Sequence, residues 1–399
     1  MKYSDKIEKC GYSPMREFHP YAVAAKKKGR TVYHLNIGQP DVLTPPAFFD
    51  AVRAFDESII AYAPSPGIPS LIDAIRGYYR KLDIDLAEDD VLITTGGSEA
   101  LLFTIACILG EGDEILIPEP YYPNYNTMVN LCGGVIRPVP TTPEEGYRYA
   151  ERERFEPLIN ERTRAILLTN PGNPTGVVLT REEVEMFVHL AKEHDLLLIA
   201  DEAYREFVYD GQKLQSAAEF FDVARENIVV IDTVSKRFSA CGARVGCVIS
   251  QNRTLMQHVL KLCQMRLCVA TLDQTAAAEL YTVGPEYFAA VRDEYKRRRD
   301  TLCRKLREIP GVVFDVPGGA FYLMAALPVD DAGKFQRWLL EEFEDNGDTV
   351  MFAPGASMYA TEGKGKNEVR IAYVLECDKI ERAIDLLRLG IEAYNKRNK

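Results

Sequence analysis

Six short runs dominated by apolar residues punctuate the middle of the chain, at 91–95, 114–118, 164–169, 196–201, 228–233 and 246–250. Segments of strand length with so few polar residues require burial on both faces. Stretches with helical spacing, such as 98–109 and 181–193, separate them at short connections. Strand and helix alternating in this way predict parallel βαβ units, hence an α/β sheet covered by helices on both sides. In such a sheet a ligand binds beyond the carboxyl ends of the strands, so functional residues are sought there.

After about residue 285 the rhythm changes to a long charged helix, 285–309. Short strand-like pieces at 312–316, 321–327 and 368–373 follow, with further helices. This predicts a smaller α+β domain. The first 44 residues have too little apolar periodicity for a unit of their own and are expected to dock on it. A chain of 399 residues is long enough to split its core. The division expected is a large domain over 45–290 and a smaller one made of 1–44 and 291–399.

Composition narrows the function. A net charge of −11 opposes binding to a phosphate backbone, and the basic clusters Lys26 to Lys28 and Arg297 to Arg299 are too short to reverse that. No apolar stretch reaches the ~18 residues of a membrane span, and the opening MKYSDKIEKC lacks the apolar core of a secretory signal. A cytoplasmic protein with reduced thiols is expected: the nine cysteines are scattered and sit mostly in apolar runs. No metal site is expected, since neither CxxC nor HExxH occurs and His189 and His194 are five apart.

The strand ends carry the chemistry. After VLITT come Gly96, Gly97, Ser98 and Glu99 and then an apolar helix, which reads either as a plain turn or as a cradle whose free N–H groups meet an anion. Glu99 in its first turn favours the helix dipole and can point outward. After RAILLT comes NPGNPTG (Asn170 to Gly176), either a turn cluster or a rigid loop that aims an amide. LLLIAD ends in Asp201, with Tyr204 three residues on. A carboxylate at the mouth of a buried strand is costly unless paired, so a cationic partner is expected. IVVIDT leads into Thr233, Ser235 and Lys236, and Arg244 follows eight residues after the lysine, framed by glycines. An arginine fork can hold two oxygens of a phosphate at once. An anion cradle, an aimed amide, a buried carboxylate and a lysine together match the needs of pyridoxal 5′-phosphate. That group has a phosphate, a ring nitrogen that must stay protonated, a phenolic oxygen and an aldehyde awaiting an amine.

In order along the chain stand NIGQPD, YAPSPGIPSL, TTGGSEAL, PYYPNY, NPGNPTG, DEAY, SK followed by GARVG, and VRIAY. From about Asn36 to Arg370 this series resembles the class I/II aminotransferases among the fold-type I pyridoxal-phosphate enzymes. The resemblance implies a homodimeric transferase that moves an amino group from an L-amino acid to a 2-oxo acid such as 2-oxoglutarate, by a ping-pong cycle. It implies Lys236 as the amine that bonds the cofactor and then moves a proton, Asp201 beneath the ring nitrogen, and Asn173 and Tyr204 on the phenolic oxygen. Gly97, Ser98 and Glu99 would hold the phosphate through their backbone, with Thr233, Ser235 and Arg244 adding side chains. Tyr122 would cover the ring, and Tyr62 would reach the neighbouring subunit's phosphate. Arg370 would grip the substrate α-carboxylate, assisted by Gly38 and Asn173.

Substrate choice is less defined. Some dicarboxylate-specific relatives use a lysine in the helix after the phosphate loop, where LLFTIACIL has no basic residue. Arg16 and Lys26 to Lys28 come from a segment that can close over the pocket in relatives, which makes Arg16 a candidate partner for a distal carboxylate. Tyr62, Tyr121, Tyr122 and Tyr125 equally suit an aromatic or medium apolar side chain. Aspartate is the expected donor, with aromatic residues or alanine as alternatives. A C–S β-lyase on the same fold is a rival, and a non-enzymatic ligand-sensing regulator a remote one.

Overall fold

The computed structural model describes residues 1–397. Its strands are β1 (Thr31–His34), β2 (Val91–Thr94), β3 (Glu114–Pro118), β4 (Val135–Val139), β5 (Thr163–Thr169) and β6 (Leu197–Asp201). They continue with β7 (Ile228–Thr233), β8 (Gly246–Ile249), β9 (Tyr322–Ala326), β10 (Asp348–Met351), β11 (Ala353–Pro354) and β12 (Glu368–Ala372). A seven-stranded sheet has the order β2-β8-β7-β6-β5-β3-β4. From β4 to β7 every neighbour is parallel, whereas β8 runs antiparallel to both β7 and β2. The six apolar runs are therefore strands of one helix-covered sheet, as expected, but one of them is reversed. Apolarity reports burial and carries no direction.

Strands β6, β7 and β8 are buried along their whole length because helices cover both faces. Leu71, Tyr79, Phe155 and Phe187 belong to the core on one side, and Leu101, Tyr125, Val129 and Val259 to the core on the other. The helix Arg181–Glu193 begins where its sequence predicts. The Thr180 hydroxyl accepts the Glu183 N–H at 3.2 Å and the Glu183 carboxylate accepts the Thr180 N–H at 2.7 Å, a reciprocal cap.

A three-stranded antiparallel sheet, β11-β12-β9, and the parallel pair β1-β10 form the C-terminal part, packed around Phe321, Phe335 and Leu387. The piece at 312–316 forms no strand, only a single bridge between Val313 and Ala326. The N-terminal segment divides its contacts. β1 pairs with β10, in line with expectation, but the turn Asp5–Glu8 and its flank lie on the seven-stranded sheet's side. There Asn130 Nδ2 donates to Lys9 O at 3.3 Å and Lys6 stands 3.4 Å from Glu111. Among the described residues no helix is long and apolar enough to cross a membrane.

Candidate active site

The strand ends converge on one edge of the large sheet. Thr94, Thr169, Asp201 and Thr233 close β2, β5, β6 and β7, and the reversal of β8 brings its first residue, Gly246, to the same edge between Thr94 and Thr233. This reversal is why Arg244, which precedes a strand, lies beside residues that follow strands. Gly246 is required there: a Cβ on it would fall 2.6 Å from Gly96 C and 2.7 Å from Gly97 N. Gly96 has φ +73°, and its missing Cβ leaves room for the Arg244 guanidinium, which would otherwise stand 2.5 Å away. Arg244 is itself left-handed at φ 52° and donates to Cys241 O at 3.1 Å and Thr95 O at 3.4 Å. The start of the helix Gly96–Ile108 thus meets an arginine, the donor set of an anion site.

Two expectations here change. The Glu99 carboxylate does not point outward but folds back to accept the Thr95 N–H at 2.7 Å, 3.4 Å from Arg266. Arg266 thus offsets its charge beside the cradle. Thr233 is occupied within its own turn: its hydroxyl accepts the Ser235 N–H at 3.1 Å, donates to Val245 O at 2.9 Å and lies 2.8 Å from Ser235 Oγ. It caps the turn Val234–Arg237 that carries Lys236.

Asp201 is 7% exposed and has only neutral donors. Tyr125 donates to its Oδ2 at 2.7 Å while also meeting the Thr169 hydroxyl at 2.8 Å, and the Ala203 N–H donates to Oδ1 at 3.2 Å. No ion pair to it forms among the described residues, so the cationic partner expected from the sequence is not one of their side chains. Burial pushes its carboxyl above the ordinary range, only partly offset by Tyr125 and Ala203. Tyr125 therefore serves Asp201 from full burial, and Tyr121, 2% exposed, donates to Asn126 at 2.8 Å. Neither is a wall for an aromatic substrate, as their cluster in the sequence suggested.

Within the electrostatic reach of Asp201, Lys236 is half-buried, and its Nζ donates to Gly38 O at 2.7 Å and lies 3.7 Å from Cys241 Sγ. Asn173 Nδ2 donates to the Tyr204 hydroxyl at 3.4 Å, which lies 3.0 Å from the Tyr322 hydroxyl. Arg370, on β12, is held in a fixed pose: it donates to Asn173 Oδ1 at 3.0 Å and Asn36 O at 3.1 Å, and its guanidinium lies 4.4 Å from the Tyr322 ring centre. Gly38 packs against that tyrosine so closely that a Cβ would fall 1.9 Å from its hydroxyl. Tyr122 is half-buried, accepts from Asn124 Nδ2 at 2.7 Å, and lies within the electrostatic reach of Asp201, Arg244 and Arg370. Tyr62 is 81% exposed, and Arg16 is exposed in a short turn. Sequence reasoning missed Tyr322, Asn36 and Cys241. The only signal was position: Asn36 opens the NIGQPD motif, and Cys241 falls between Lys236 and Arg244.

These residues fit pyridoxal 5′-phosphate. A buried carboxylate with neutral donors suits a protonated ring nitrogen, the paired hydroxyl and amide of Tyr204 and Asn173 suit a phenolate, and the glycine-framed cradle suits a phosphate. Fold and site together define a fold-type I pyridoxal-phosphate enzyme. The chain matches the family "Aminotransferase class I and II" over residues 30–387. It is 31% identical to aspartate aminotransferase of Bacillus subtilis, covering 99% of this chain and all of that one. It is 32% identical to aromatic-amino-acid aminotransferase 2 of Thermococcus litoralis, with 96% and 97% covered. Alanine aminotransferase from Pyrococcus furiosus superposes with a TM-score of 0.89 at 28% identity, over 98% of this chain and 100% of that one. The chain belongs to the class I and II aminotransferases, and its cofactor is pyridoxal 5′-phosphate.

Proposed function

We propose that the protein transfers the amino group of an L-amino acid, aspartate first, to a 2-oxo acid such as 2-oxoglutarate in a ping-pong cycle. The observation that carries this reading is that Lys236, within the electrostatic reach of buried Asp201, reaches Gly38 O, and Gly38 packs on the Tyr322 that Arg370 covers. Bound pyridoxal phosphate supplies an aldehyde that condenses with amines and a protonated ring that accepts electrons from a breaking bond at the substrate Cα. Asp201 keeps the ring nitrogen protonated, and Asn173 and Tyr204 orient the phenolic oxygen. Gly97, Ser98 and Glu99 hold the phosphate by their backbone N–H groups with Ser235 and Arg244, and Thr233 supports Ser235. Arg370 grips the substrate α-carboxylate as a fork, which points the Cα–H bond at Lys236. The Lys236 amine would hold the cofactor and, when free, would take that proton from the substrate Cα as general base and carry it as general acid.

Residues 45–290 form the cofactor-binding domain in this reading, and 1–44 with 291–399 the smaller one. A homodimer in the cytoplasm is the working assembly. An open cleft of about 890 Å³ carries Tyr62, and Ile59 and Ile60 beside it are 75% and 67% exposed, which supports a second subunit on this face. Tyr62 then reaches the partner's phosphate. Aspartate is favoured by the name of the Bacillus relative, and the aromatic and alanine enzymes among the similar proteins keep those donors as alternatives. The C–S β-lyase reading has no observation of its own.

The test mixes holoenzyme with single amino acids and follows the cofactor's near-visible absorbance together with the 2-oxo acid released. Fast conversion by aspartate is expected. Conversion by tyrosine, phenylalanine or alanine alone would replace aspartate, and pyruvate with ammonia from cysteine conjugates would establish the lyase. Arg370→Lys is expected to raise the amino-acid KM at least about tenfold, because a point charge cannot replace a fork. An unchanged KM would remove Arg370 from the site.

A further inference from the structure

Three residues of the site have a charged neighbour in the chain. Asp232 precedes Thr233, Arg237 follows Lys236, and Glu202 follows Asp201. All three are almost fully buried. One terminal nitrogen of Arg237 donates to both carboxylate oxygens of Asp232. Its Nε and other terminal nitrogen have no hydrogen-bond acceptor. Aromatic faces stand there instead: the guanidinium lies 4.3 Å from the Tyr78 ring centre and 5.6 and 5.7 Å from those of Phe238 and Tyr281. A flat, weakly hydrated cation tolerates that setting where an ammonium would not.

Around this pair the charges are matched. Asp232 also accepts the Tyr79 hydroxyl at 3.0 Å and the Thr233 N–H at 2.7 Å. Arg205, stacked 4.4 Å from the Tyr79 ring centre, lies 3.6 Å from Asp232 and 3.5 Å from Glu202. Glu202 is capped by the Ser216 hydroxyl at 2.9 Å and the Ala217 N–H at 3.0 Å. At the rim Glu206 accepts from Tyr78 and lies 3.5 Å from Arg292, and the Cys247 thiol of β8 faces the same cluster.

Burying ions is a poor route to stability, since an apolar replacement of equal volume often does as well. The cluster calls for another role, and its geometry indicates one. The turn Val234–Arg237 has four residues, too few to hold a helical shape alone. Asp232 fastens it at both ends, through the Thr233 N–H before it and the Arg237 side chain at its close. Resting on the transaminase reading, we propose that Asp232 and Arg237 are a positioning pair for Lys236: they fix the turn that presents its amine, and by cancelling each other's charge they set the field at Lys236 and Asp201. The Asp232 charge is felt at Asp201, whose carboxyl it helps to push upward, so an unbalanced Asp232 would act on the site directly.

The sign of the effect separates this role from simple packing. Arg237→Met leaves an anion beneath the site, which favours protonation of the nitrogen joining Lys236 to the cofactor. Asp232→Asn leaves a cation and disfavours it. The experiment titrates the near-visible band of each holoenzyme against pH and records its melting temperature. The expected midpoint moves up by on the order of one pH unit in Arg237→Met and down by a similar amount in Asp232→Asn. It returns close to wild type in the double variant. Should a single variant fail to fold, Arg205→Met tests the same field from outside the turn, with a smaller upward shift expected. Lowered melting temperatures with unmoved midpoints in the folded variants would overturn the pair and leave the transaminase reading intact. A wild-type protein lacking the band would overturn that reading and the pair with it.

Discussion

Asp201 ends β6 and Asp232 is the penultimate residue of the neighbouring β7, at 7% and 0% exposure, yet their surroundings are opposite. Asp201 meets a tyrosine hydroxyl and a backbone N–H, whereas Asp232 meets two arginines. Burial raises the Asp201 carboxyl above its ordinary value. It would raise Asp232 too, but Arg237 and Arg205 outweigh it and hold that carboxyl low. Charge is fully compensated where it belongs to the scaffold and left open where a ligand cation is to arrive. The open carboxylate thus marks the site more sharply than burial does.

The largest expected effect tests the open side. Lys236→Ala should lower transamination by well over ~10²-fold, the loss that follows removal of a general base. Steady-state kinetics at saturating cofactor measure it, and near-normal turnover would dissolve the contrast between the two faces. Next, the two aspartates should respond in opposite senses to neutralisation. Asp232→Asn is expected to cost about 3–5 kcal/mol of folding stability, because the buried Arg237 loses its anion and Arg205 loses one of two. Asp201→Asn should make the cofactor-free protein slightly more stable at neutral pH. A raised carboxyl contributes stability only while it holds its proton, and that contribution is lost as pH rises through its folded value. Urea denaturation of the cofactor-free variants decides this, and equal destabilisation by both would break the comparison.

A smaller effect is expected at the anion cradle. Gly246→Ala drives a methyl group into the Gly96–Gly97 backbone and should cost about 1–3 kcal/mol, chiefly as weaker cofactor retention. Equilibrium dialysis against pyridoxal phosphate measures it. The smallest concerns Glu202, pushed by burial from 4.5 to about 7 despite Arg205. Its stabilising proton is held below pH 4.5 and lost as pH climbs through about 7. Glu202→Gln should flatten the fall in melting temperature across that window.

Much of this arrangement was legible in the chain. Strands β3 and β7 fall where the apolar runs predict, and the helix Arg181–Glu193 where its spacing does. Asp201, Lys236 and Arg370 each stand in a motif at or near a strand end. Strand β4 escaped notice because it is an edge strand with alternating exposure and a proline at 138, without the unbroken apolar signature of its neighbours. The reversal of β8 is set by pairing with β2 and β7 and has no local signal. Tyr322 and Tyr125 acquire their roles from partners 118 and 76 residues away in the chain, a distance no window of sequence spans. Arg237 has no signal of its own beside Lys236, and only the fold turns it inward onto Asp232.

The central claim is that the Lys236 amine, within the electrostatic reach of a buried and uncompensated carboxylate, is the point of covalent attachment for pyridoxal phosphate. Borohydride reduction of the loaded protein, followed by peptide mass mapping, tests it most directly. The expected result is the reduced cofactor on the peptide containing Lys236 and on no other lysine. Attachment elsewhere, or none, would contradict the account.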